Sequence, residues 1–199
     1  MPAPAEIESL SFPDQDAWRA WLEVHHSTSP GVWLKLARPN VSPKTVTHPE
    51  ALDICLRYGW IDGQSRSLDK THWLRKFIPR ARRSIWSERN RARVMELTAE
   101  GLMAPAGLAE MERAKADGRW AGAYAAQRDA VVPEDLALAL AQSPPAAGFF
   151  AKLDSKNRYA ILHRLHLAKQ PATRARRLAT FVGMLEREER LHAAPKSSL

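Results

Sequence analysis

The stretch from Tyr58 to Asn90, YGWIDGQSRSLDKTHWLRKFIPRARRSIWSERN, contains the clearest structural signal in this chain. Two segments rich in aromatic and branched residues, 60–66 and 71–78, flank the short polar turn 67–70, which predicts a β-hairpin. A proline and a basic loop follow, and Ser87 is then well placed to cap a helix. The stretch therefore predicts a sheet that ends near residue 79 and is followed by helices.

The turn also predicts how the two strands of the hairpin pair. The predicted cross-strand pairs are Trp60 with Phe77, Asp62 with Arg75, and Gln64 with Trp73. Side chains alternate between the faces of a strand, so these pairs share one face of the hairpin. Because both faces include apolar residues, we expect the hairpin to be covered on both sides.

Hydrophobic periodicity predicts the remaining elements. They are short strands at 7–12 and 32–36, helices at 15–26 and 49–58, and helices beginning near residues 88, 105, 134, 144, 155 and 171. No strand pattern follows residue 80, so the predicted class is α+β, a small, mostly antiparallel sheet with helices in the N-terminal part followed by a helical C-terminal part. We expect an α+β part at 1–79 with the central hairpin 60–78, a helical part at 80–192 packed on it, and a frayed tail at 193–199.

Composition restricts the class of protein. The chain has 199 residues, of which 45% are hydrophobic and 26% charged, as in ordinary globular proteins. No apolar run approaches the ~20 residues of a membrane span, and the N-terminus lacks the basic and apolar regions of a secretory signal. The one cysteine, Cys55, excludes an internal disulfide and a multi-cysteine metal site. These features predict a cytoplasmic protein without a membrane span.

The net charge of +8 is concentrated in two segments. Residues 58–93 contain ten Lys and Arg against three acids, and residues 152–177 contain eight against one, so each segment has a net charge of +7. Positive faces attract nucleic acid, phospholipid head groups and phosphorylated ligands. A solvated surface explains such charge runs equally well.

An anion site is predicted where the basic loop after the hairpin meets the next helix. Free N–H groups at a helix start favour anions, and guanidinium and hydroxyl groups lie close by in the sequence. The predicted ligand-binding residues are Trp60, Asp62, Arg80, Arg83, Ser84, Trp86, Ser87 and Asn90. In this hypothesis Arg80 and Arg83 clamp the anion, the serines donate hydrogen bonds, and Trp60 or Trp86 forms a stacking wall. In the structural alternative the tryptophans belong to the core and Arg80 pairs with a buried acid.

Asp62 has two interpretations. A desolvated carboxylate beside tryptophans is suited to act as a general base or a ligand anchor. The predicted pairing instead places Arg75 opposite it, where the two form a cross-strand ion pair. The two roles are compatible, because a carboxylate held by an arginine can still position a ligand.

Other polar residues give weaker signals. Arg174, Arg176 and Arg177 open the last helix against its dipole, which indicates a phosphate or carboxylate partner or else a solvated face. His163 and His166 lie three residues apart without an accompanying carboxylate, so no metal site is predicted. Because the sequence also lacks nucleotide-binding glycine motifs and known catalytic signatures, we predict no cofactor and no catalytic residues.

Several motifs occur together in this chain in a fixed order. They are Trp18-x-x-Trp21-Leu22, Gly31-Val32-Trp33-Leu34, Tyr58-Gly59-Trp60-Ile61-Asp62-Gly63, Phe77-x-Pro79-Arg80, Ser84-x-Trp86-Ser87-x-x-Asn90, Gly118-Arg119-Trp120 and Thr173-Arg174-x-Arg176-Arg177. With them the chain resembles the bacterial YdeI or OmpD-associated family, also labelled bacteriocin-protection proteins, over residues 7–186. The resemblance implies a role in surviving envelope stress, bacteriocins or cationic peptides, and it transfers no biochemical activity and no catalytic residues.

Three functions remain as alternatives. The first is a cytoplasmic, cofactor-independent stress-protection protein that binds an anionic small molecule or phosphate-bearing ligand. The second is a non-specific nucleic-acid-binding protein that uses both basic segments. The third is an enzyme with Asp62 as general base. The sequence indicates neither the ligand nor the oligomeric state.

Overall fold

The computed structural model describes residues 7–193, which form an α+β structure as predicted. The strands are β1 Ser9–Leu10, β2 Val32–Ala37, β3 Trp60–Ser67 and β4 His72–Pro79. The helices are α1 Gln15–His25, α2 His48–Arg57, α3 Glu88–Ala99, α4 Pro105–Ala116, α5 Glu134–Ala141, α6 Pro144–Lys152, α7 Ser155–His166 and α8 Pro171–Glu186. A short 3-10 helix, Gln127–Asp129, precedes α5. No helix in this part of the chain has both the length and the apolar character of a membrane span.

The four strands form one mixed sheet in the order β1-β2-β4-β3. β1 runs parallel to β2, and the β2–β4 and β3–β4 pairs are antiparallel, so the sheet is mostly antiparallel as expected. In β2 the buried residues Val32, Leu34 and Leu36 alternate with half-buried ones and share a core with residues of α1 and α2. The core formed here consists of Trp18, Leu22, Val32, Leu34, Leu36, Val46, Ala51, Ile54, Cys55, Trp60 and Phe77.

The hairpin has a different register from the predicted one. Trp60 pairs with Pro79 and Asp62 with Phe77, and an irregularity between Asp62 and Ser65 then brings Ser65 opposite Arg75. The predicted pairs were wrong because the turn is longer than expected: Ser67 pairs with Trp73, three residues away from the predicted register. The bulge, which adds one residue to β3, then reduces the offset to two residues at Asp62 and Trp60. A shift of two residues keeps each side chain on its face, so Trp60, Asp62 and Phe77 still share one side of the sheet.

Side-chain caps explain where three predicted helices begin. Asp14 accepts a hydrogen bond from the backbone N–H of Ala17 at the start of α1 (2.9 Å). Thr47 and Glu50 form a reciprocal capping box at α2, and Ser87 caps α3.

The chain divides into two compact units, Met1–Ala123 and Tyr124–Leu199, called here the N-terminal and C-terminal units. α3 and α4 belong to the N-terminal unit, where they enclose a second core of Leu56, Trp86, Val94, Leu97, Met111, Ala114 and Ala123. The predicted helical part instead began at residue 80, because composition reveals the loss of strands but not the packing of α3 and α4 on α2. Of the predicted tail, residues 194–199 lie outside the described residues.

The C-terminal unit has its own core between α5, α6, α7 and α8. It consists of Leu136, Leu140, Ala146, Phe149, Phe150, Leu153, Ile161, Leu162, Leu165, Phe181, Met184 and Leu185. The apolar spacing that predicted α8 supplies Phe181 and Leu185 to this core.

A glycine allows α4 to approach the end of α2 closely. A methyl group on Gly107 would lie 2.1 Å from the carbonyl oxygen of Arg57, well inside van der Waals contact. The same carbonyl accepts a hydrogen bond from the backbone N–H of Ala104 (3.1 Å). α4 therefore rests on the backbone of α2, and no side chain fits between them.

We expect Gly107→Ala to lower the free energy of unfolding by about 1–3 kcal/mol, because the added methyl group must push α4 away from Arg57. Gly148→Ala in α6 is the matched control, since no heavy atom lies within 4 Å of its added methyl group. The control should raise stability by about 0.5–1 kcal/mol through helix propensity. Urea denaturation followed by circular dichroism measures both, and stabilisation by both substitutions would contradict the close contact.

Candidate functional site

Arg80, the central residue of the predicted anion site, is buried. Only 6% of its surface is exposed. The guanidinium carbon lies 3.6 Å from the centroid of the Trp86 ring, and Nη1 donates a hydrogen bond to the carbonyl of Ile85 (3.2 Å). Arg80 therefore holds the loop before α3 from the inside, and its guanidinium is not available to a ligand in this conformation.

The two tryptophans predicted as stacking walls are also buried. Trp86 is 2% exposed and packs edge-on against Trp120, with ring centroids 4.9 Å apart. Trp60 is 1% exposed, and its indole N–H donates to the carbonyl of His26 (3.0 Å). Burial leaves neither ring a free face for a ligand, which supports the structural interpretation of both.

The serines of the predicted site make local contacts. The Ser84 hydroxyl accepts a hydrogen bond from the backbone N–H of Ala81 (3.0 Å), and the Ser84 carbonyl accepts one from Nη1 of Arg119 (3.1 Å). The Ser87 hydroxyl accepts from the backbone N–H of Asn90 (3.2 Å). These groups shape the loop and the start of α3, and Arg83 is the predicted cation that remains exposed.

Asn90 lines a different hollow, between α2 and α3. This hollow has a volume of about 290 Å³ and is lined by Pro49, Leu52, Asp53, Leu56, Arg89, Asn90, Ala92, Arg93 and Glu96. Within it Arg93 donates to Asp53 (2.6 Å) and to Glu96 (2.8 Å). Since acids and arginines line it in equal number, the hollow has little excess positive charge for an anion.

Asp62 forms the predicted ion pair with Arg75, although the register differs. Arg75 occupies the diagonal position across the β3–β4 pair and donates from both Nε (3.0 Å) and Nη2 to Oδ2 of Asp62. Nε2 of His48 donates to the same oxygen (2.9 Å). The carboxylate thus joins α2 to the hairpin.

The environment of Asp62 does not favour a general base. Burial raises the pKa of this carboxyl group, but hydrogen bonds from His48 and Arg75 outweigh burial, so the pKa lies below its ordinary value. Effective proton transfer near neutral pH needs a carboxyl whose pKa is raised towards the working pH. The geometry therefore supports the structural role over the catalytic one.

Two of the three arginines that open α8, Arg174 and Arg177, have partners within the fold. Arg174 makes a bidentate pair with Asp135 of α5, from Nε (2.6 Å) and Nη2 (2.8 Å), and also donates to the carbonyl of Leu165 (2.9 Å). The side-chain hydrogen bond from Arg174 lowers the pKa of Asp135. Arg177 donates to the carbonyl of Arg164. A carboxylate from elsewhere in the fold is thus the partner of Arg174.

Two adjoining surface hollows lie along α7 in the C-terminal unit. The first, called here the His163 hollow, has a volume of about 260 Å³ and is lined by Gln127, Lys156, Tyr159, Ala160, His163, Arg164 and His192. The second, the Leu162 hollow, has a volume of about 370 Å³ and is lined by Gln127, Arg128, Ala130, Leu153, Ser155, Arg158, Tyr159 and Leu162. They share Gln127 and Tyr159, so they are contiguous.

The His163 hollow carries an excess of positive charge. Its lining includes two cations and two histidines and no acid. Lys156 and Arg164 form no ion pair with any residue in the described part of the chain, and Nη1 of Arg164 is buried without a hydrogen-bond partner there. The excess positive charge that we predicted for the loop before α3 therefore lies in this hollow instead.

Aromatic contacts hold His163 in the hollow. Its ring packs edge-on against Tyr124 (centroids 4.8 Å apart) and tilts against Tyr159 (5.5 Å), whose hydroxyl donates to the carbonyl of Ala125 (3.0 Å). Burial lowers the pKa of His163, and the nearby charges of His166 and Arg164 lower it further. In residues 7–193 no group of three or more His, Cys, Asp or Glu side chains is arranged to hold a metal ion.

From the sequence, residues 152–177 were predicted only as a basic segment, and this hollow was not predicted. Its signal was helical spacing, because positions 156, 159, 160, 163 and 164 lie on one face of α7. Cations, a tyrosine and a histidine at that spacing indicate a polar binding face. The wall that completes the hollow, Gln127 and His192, comes from segments whose proximity the sequence does not indicate.

Comparison with known families assigns the two parts of the chain separately. Residues 10–110, about half of the chain, match a family model described as Domain of unknown function (DUF8412). Residues 129–188 match one described as Bacteriocin-protection, YdeI or OmpD-Associated. The chain belongs to the DUF8412 family, and its residues 129–188 match the YdeI or OmpD-associated model.

The YdeI or OmpD-associated assignment confirms the family that the motifs indicated. The matched range is narrower than residues 7–186, over which the resemblance extended, and it includes the Thr173–Arg177 motif. The motifs between Trp18 and Asn90 fall within the DUF8412 match instead. No curated protein and no solved structure matches this chain. The YdeI/OmpD-associated region contains α5–α8 and therefore most of the residues that line the two hollows.

A pair of substitutions tests whether Arg80 is structural. We expect Arg80→Ala to lower the free energy of unfolding by about 2–3 kcal/mol, because it empties the space beneath Trp86 and leaves the Ile85 carbonyl without this donor. Arg83→Ala, which removes an exposed cation of the same loop, should change stability by no more than about 0.5 kcal/mol. Thermal and urea unfolding measure both variants. If Arg80→Ala is as stable as the unmodified chain, Arg80 has no structural role and could contact a ligand.

Proposed function

We propose that this bacteriocin-protection-type protein acts by binding an anionic, phosphate-bearing ligand in the His163 hollow. The observation that carries the proposal is the lining of that hollow, in which Lys156, His163, Arg164 and His192 converge without an acid. The hollow lies in the YdeI/OmpD-associated unit, so the binding function and the family assignment refer to the same part of the chain.

The chemistry of these side chains suits a phosphate group. The guanidinium of Arg164 and the ammonium of Lys156 supply positive charge and donors, and charge-assisted hydrogen bonds to phosphate are about twice as strong as neutral ones. Partial burial of Arg164 and His163 weakens solvent screening of their attraction for an anion. A volume of about 260 Å³ accommodates a phosphate and part of the group that carries it.

The proposal includes a cofactor-independent function in the cytoplasm. Cys55 is free and buried, which fits a reducing compartment. The protein then protects by sequestering or sensing a phosphorylated compound, and it does so without catalysing a reaction.

Calorimetric titration with inorganic phosphate and with sulfate tests the site. We expect millimolar or tighter binding to the full chain, weakened about tenfold by Lys156→Ala, because one charge-assisted contact is lost. Lys152→Ala is the matched control: it removes an exposed cation from the same unit without touching either hollow. Equal weakening by both substitutions would show a general charge effect and would contradict the site.

Spectroscopy distinguishes this site from the loop near Trp86. All seven tryptophans lie at or before Trp120, in the N-terminal unit, whereas His163 and Tyr159 lie in the C-terminal unit. Phosphate should therefore shift the histidine ring signals of His163 in NMR spectra and leave tryptophan emission unchanged. A change in tryptophan emission with unchanged His163 signals would place binding in the N-terminal unit and overturn the proposal.

Anion affinity should depend on pH with a defined sign. The pKa of His163 is lowered in the free protein, so its imidazole is neutral at about pH 7–8 and can take up a proton when an anion binds. We expect sulfate to bind more tightly as pH falls from about 8 to 6. Sulfate is the probe because it stays a dianion over this range, unlike phosphate.

The matched variant for this dependence is His163→Gln. It keeps a polar side chain and removes the titrating ring, so the slope of affinity against pH should become shallower while binding at high pH persists. Titration calorimetry in buffers of different ionisation enthalpy also measures the proton uptake directly. A slope unchanged by His163→Gln would assign the proton uptake to another group.

A further inference from the structure

We infer that the ligand of the two α7 hollows is a nucleoside phosphate, with its phosphate in the His163 hollow and its base in the Leu162 hollow. This inference rests on the proposed function and narrows it to one ligand class. The two hollows share Gln127 and Tyr159, so one molecule can occupy both at once.

The Leu162 hollow differs in chemistry from its neighbour. Ala130, Leu153 and Leu162 add apolar side chains to its lining, and the latter two are largely buried core residues of the C-terminal unit. Gln127 and Ser155 add an amide and a hydroxyl at the rim. A flat ring that is apolar on its faces and polar at its edges matches this combination, and a nucleobase has that character.

The arginines of the Leu162 hollow are less available to an anion than the cations next door. Arg128 is paired with Asp129 (3.2 Å). Arg158 donates to the carbonyl of Ala151 (3.0 Å), and its guanidinium lies over the Phe150 ring at 5.4 Å. Arg128 is paired with an acid, and Arg158 is held in part by protein groups, although its buried Nε has no hydrogen-bond partner in residues 7–193. The Leu162 hollow therefore suits the uncharged end of the ligand better than a second phosphate.

The size of the hollows agrees with this arrangement. The Leu162 hollow, at about 370 Å³, is the larger of the two and accommodates a base with part of its sugar. The shared residues Tyr159 and Gln127 then lie against the sugar, where a ring face and an amide can contact its carbon skeleton and hydroxyls. Each hollow thus matches one end of a nucleoside phosphate in charge and polarity.

The experiment compares four probes by titration calorimetry with the full chain: AMP, ribose 5-phosphate, adenosine and tripolyphosphate. We expect AMP to bind about tenfold more tightly than ribose 5-phosphate, because the base adds stacking and edge contacts. GMP, CMP and UMP measure whether the rim selects one base. Adenosine should bind more weakly than AMP, since it cannot use the His163 hollow.

A substitution in each hollow separates the two contributions. Ser155→Tyr fills the Leu162 hollow from an exposed position without changing charge, and it should reduce AMP affinity to that of ribose 5-phosphate. Lys156→Ala should weaken both phosphorylated probes in the same proportion. Melting temperatures and circular dichroism verify that each variant is folded, and Lys152→Ala is again the charge control.

Three results would overturn the inference. Equal affinity for AMP and ribose 5-phosphate in the unmodified chain overturns the nucleotide inference and leaves phosphate binding intact. Tighter binding of tripolyphosphate than of AMP also overturns it, in favour of a linear polyanion. If no phosphorylated probe binds, the proposed function fails together with the inference.

Discussion

The stacking of the Arg80 guanidinium on the buried Trp86 ring determines how the N-terminal unit is built after its sheet. A buried arginine is costly to desolvate unless its donors and its positive face find partners. The Trp86 ring contacts the positive face, the Ile85 carbonyl accepts from Nη1, and the backbone N–H of Arg80 donates to the carbonyl of Gly59. The loop is thereby fixed, Ser87 is placed to cap α3, and α3 and α4 can enclose the second core.

The same interaction explains why the N-terminal site looked plausible from the sequence and has a structural role in the fold. Arginine and tryptophan are the residues that bind anions and rings at surfaces, and they stack on each other just as well inside a protein. The sequence placed Arg80 and Trp86 in one predicted ligand site, and in the structure the two side chains stack on each other. The sequence could not show that the pair faces the core, because that depends on Trp120 and on α4, which follow much later in the chain.

Local signals predicted the elements, and long-range packing determined the rest. The start of α3 was readable because the Ser87 cap depends only on neighbouring residues. The hairpin register was not, since residues 67–72 do not specify the length of the turn and the bulge after Asp62 has no sequence marker stronger than Gly63. The predicted Asp62–Arg75 pair forms although the predicted register was wrong, because a long side chain still reaches its diagonal neighbour on the same face.

The two basic segments illustrate what charge counts omit. Each has a net charge of +7, yet acids from other elements neutralise part of both, as Asp53 does for Arg93 and Asp135 for Arg174. Lys156 and Arg164 have no such partners among residues 7–193. Binding capacity therefore follows from where acids are missing in space.

The irregularity in β3 has a consequence for self-association. β3 is an outer strand of the sheet, and an outer strand exposes unpaired backbone groups to which another copy of the chain could add a strand. The bulge between Asp62 and Ser65 twists this edge, and the residues beyond it, including Arg66, are solvated. A twisted edge with a cation near the turn disfavours intermolecular strand addition, so the bulge helps to keep the protein from aggregating through its sheet.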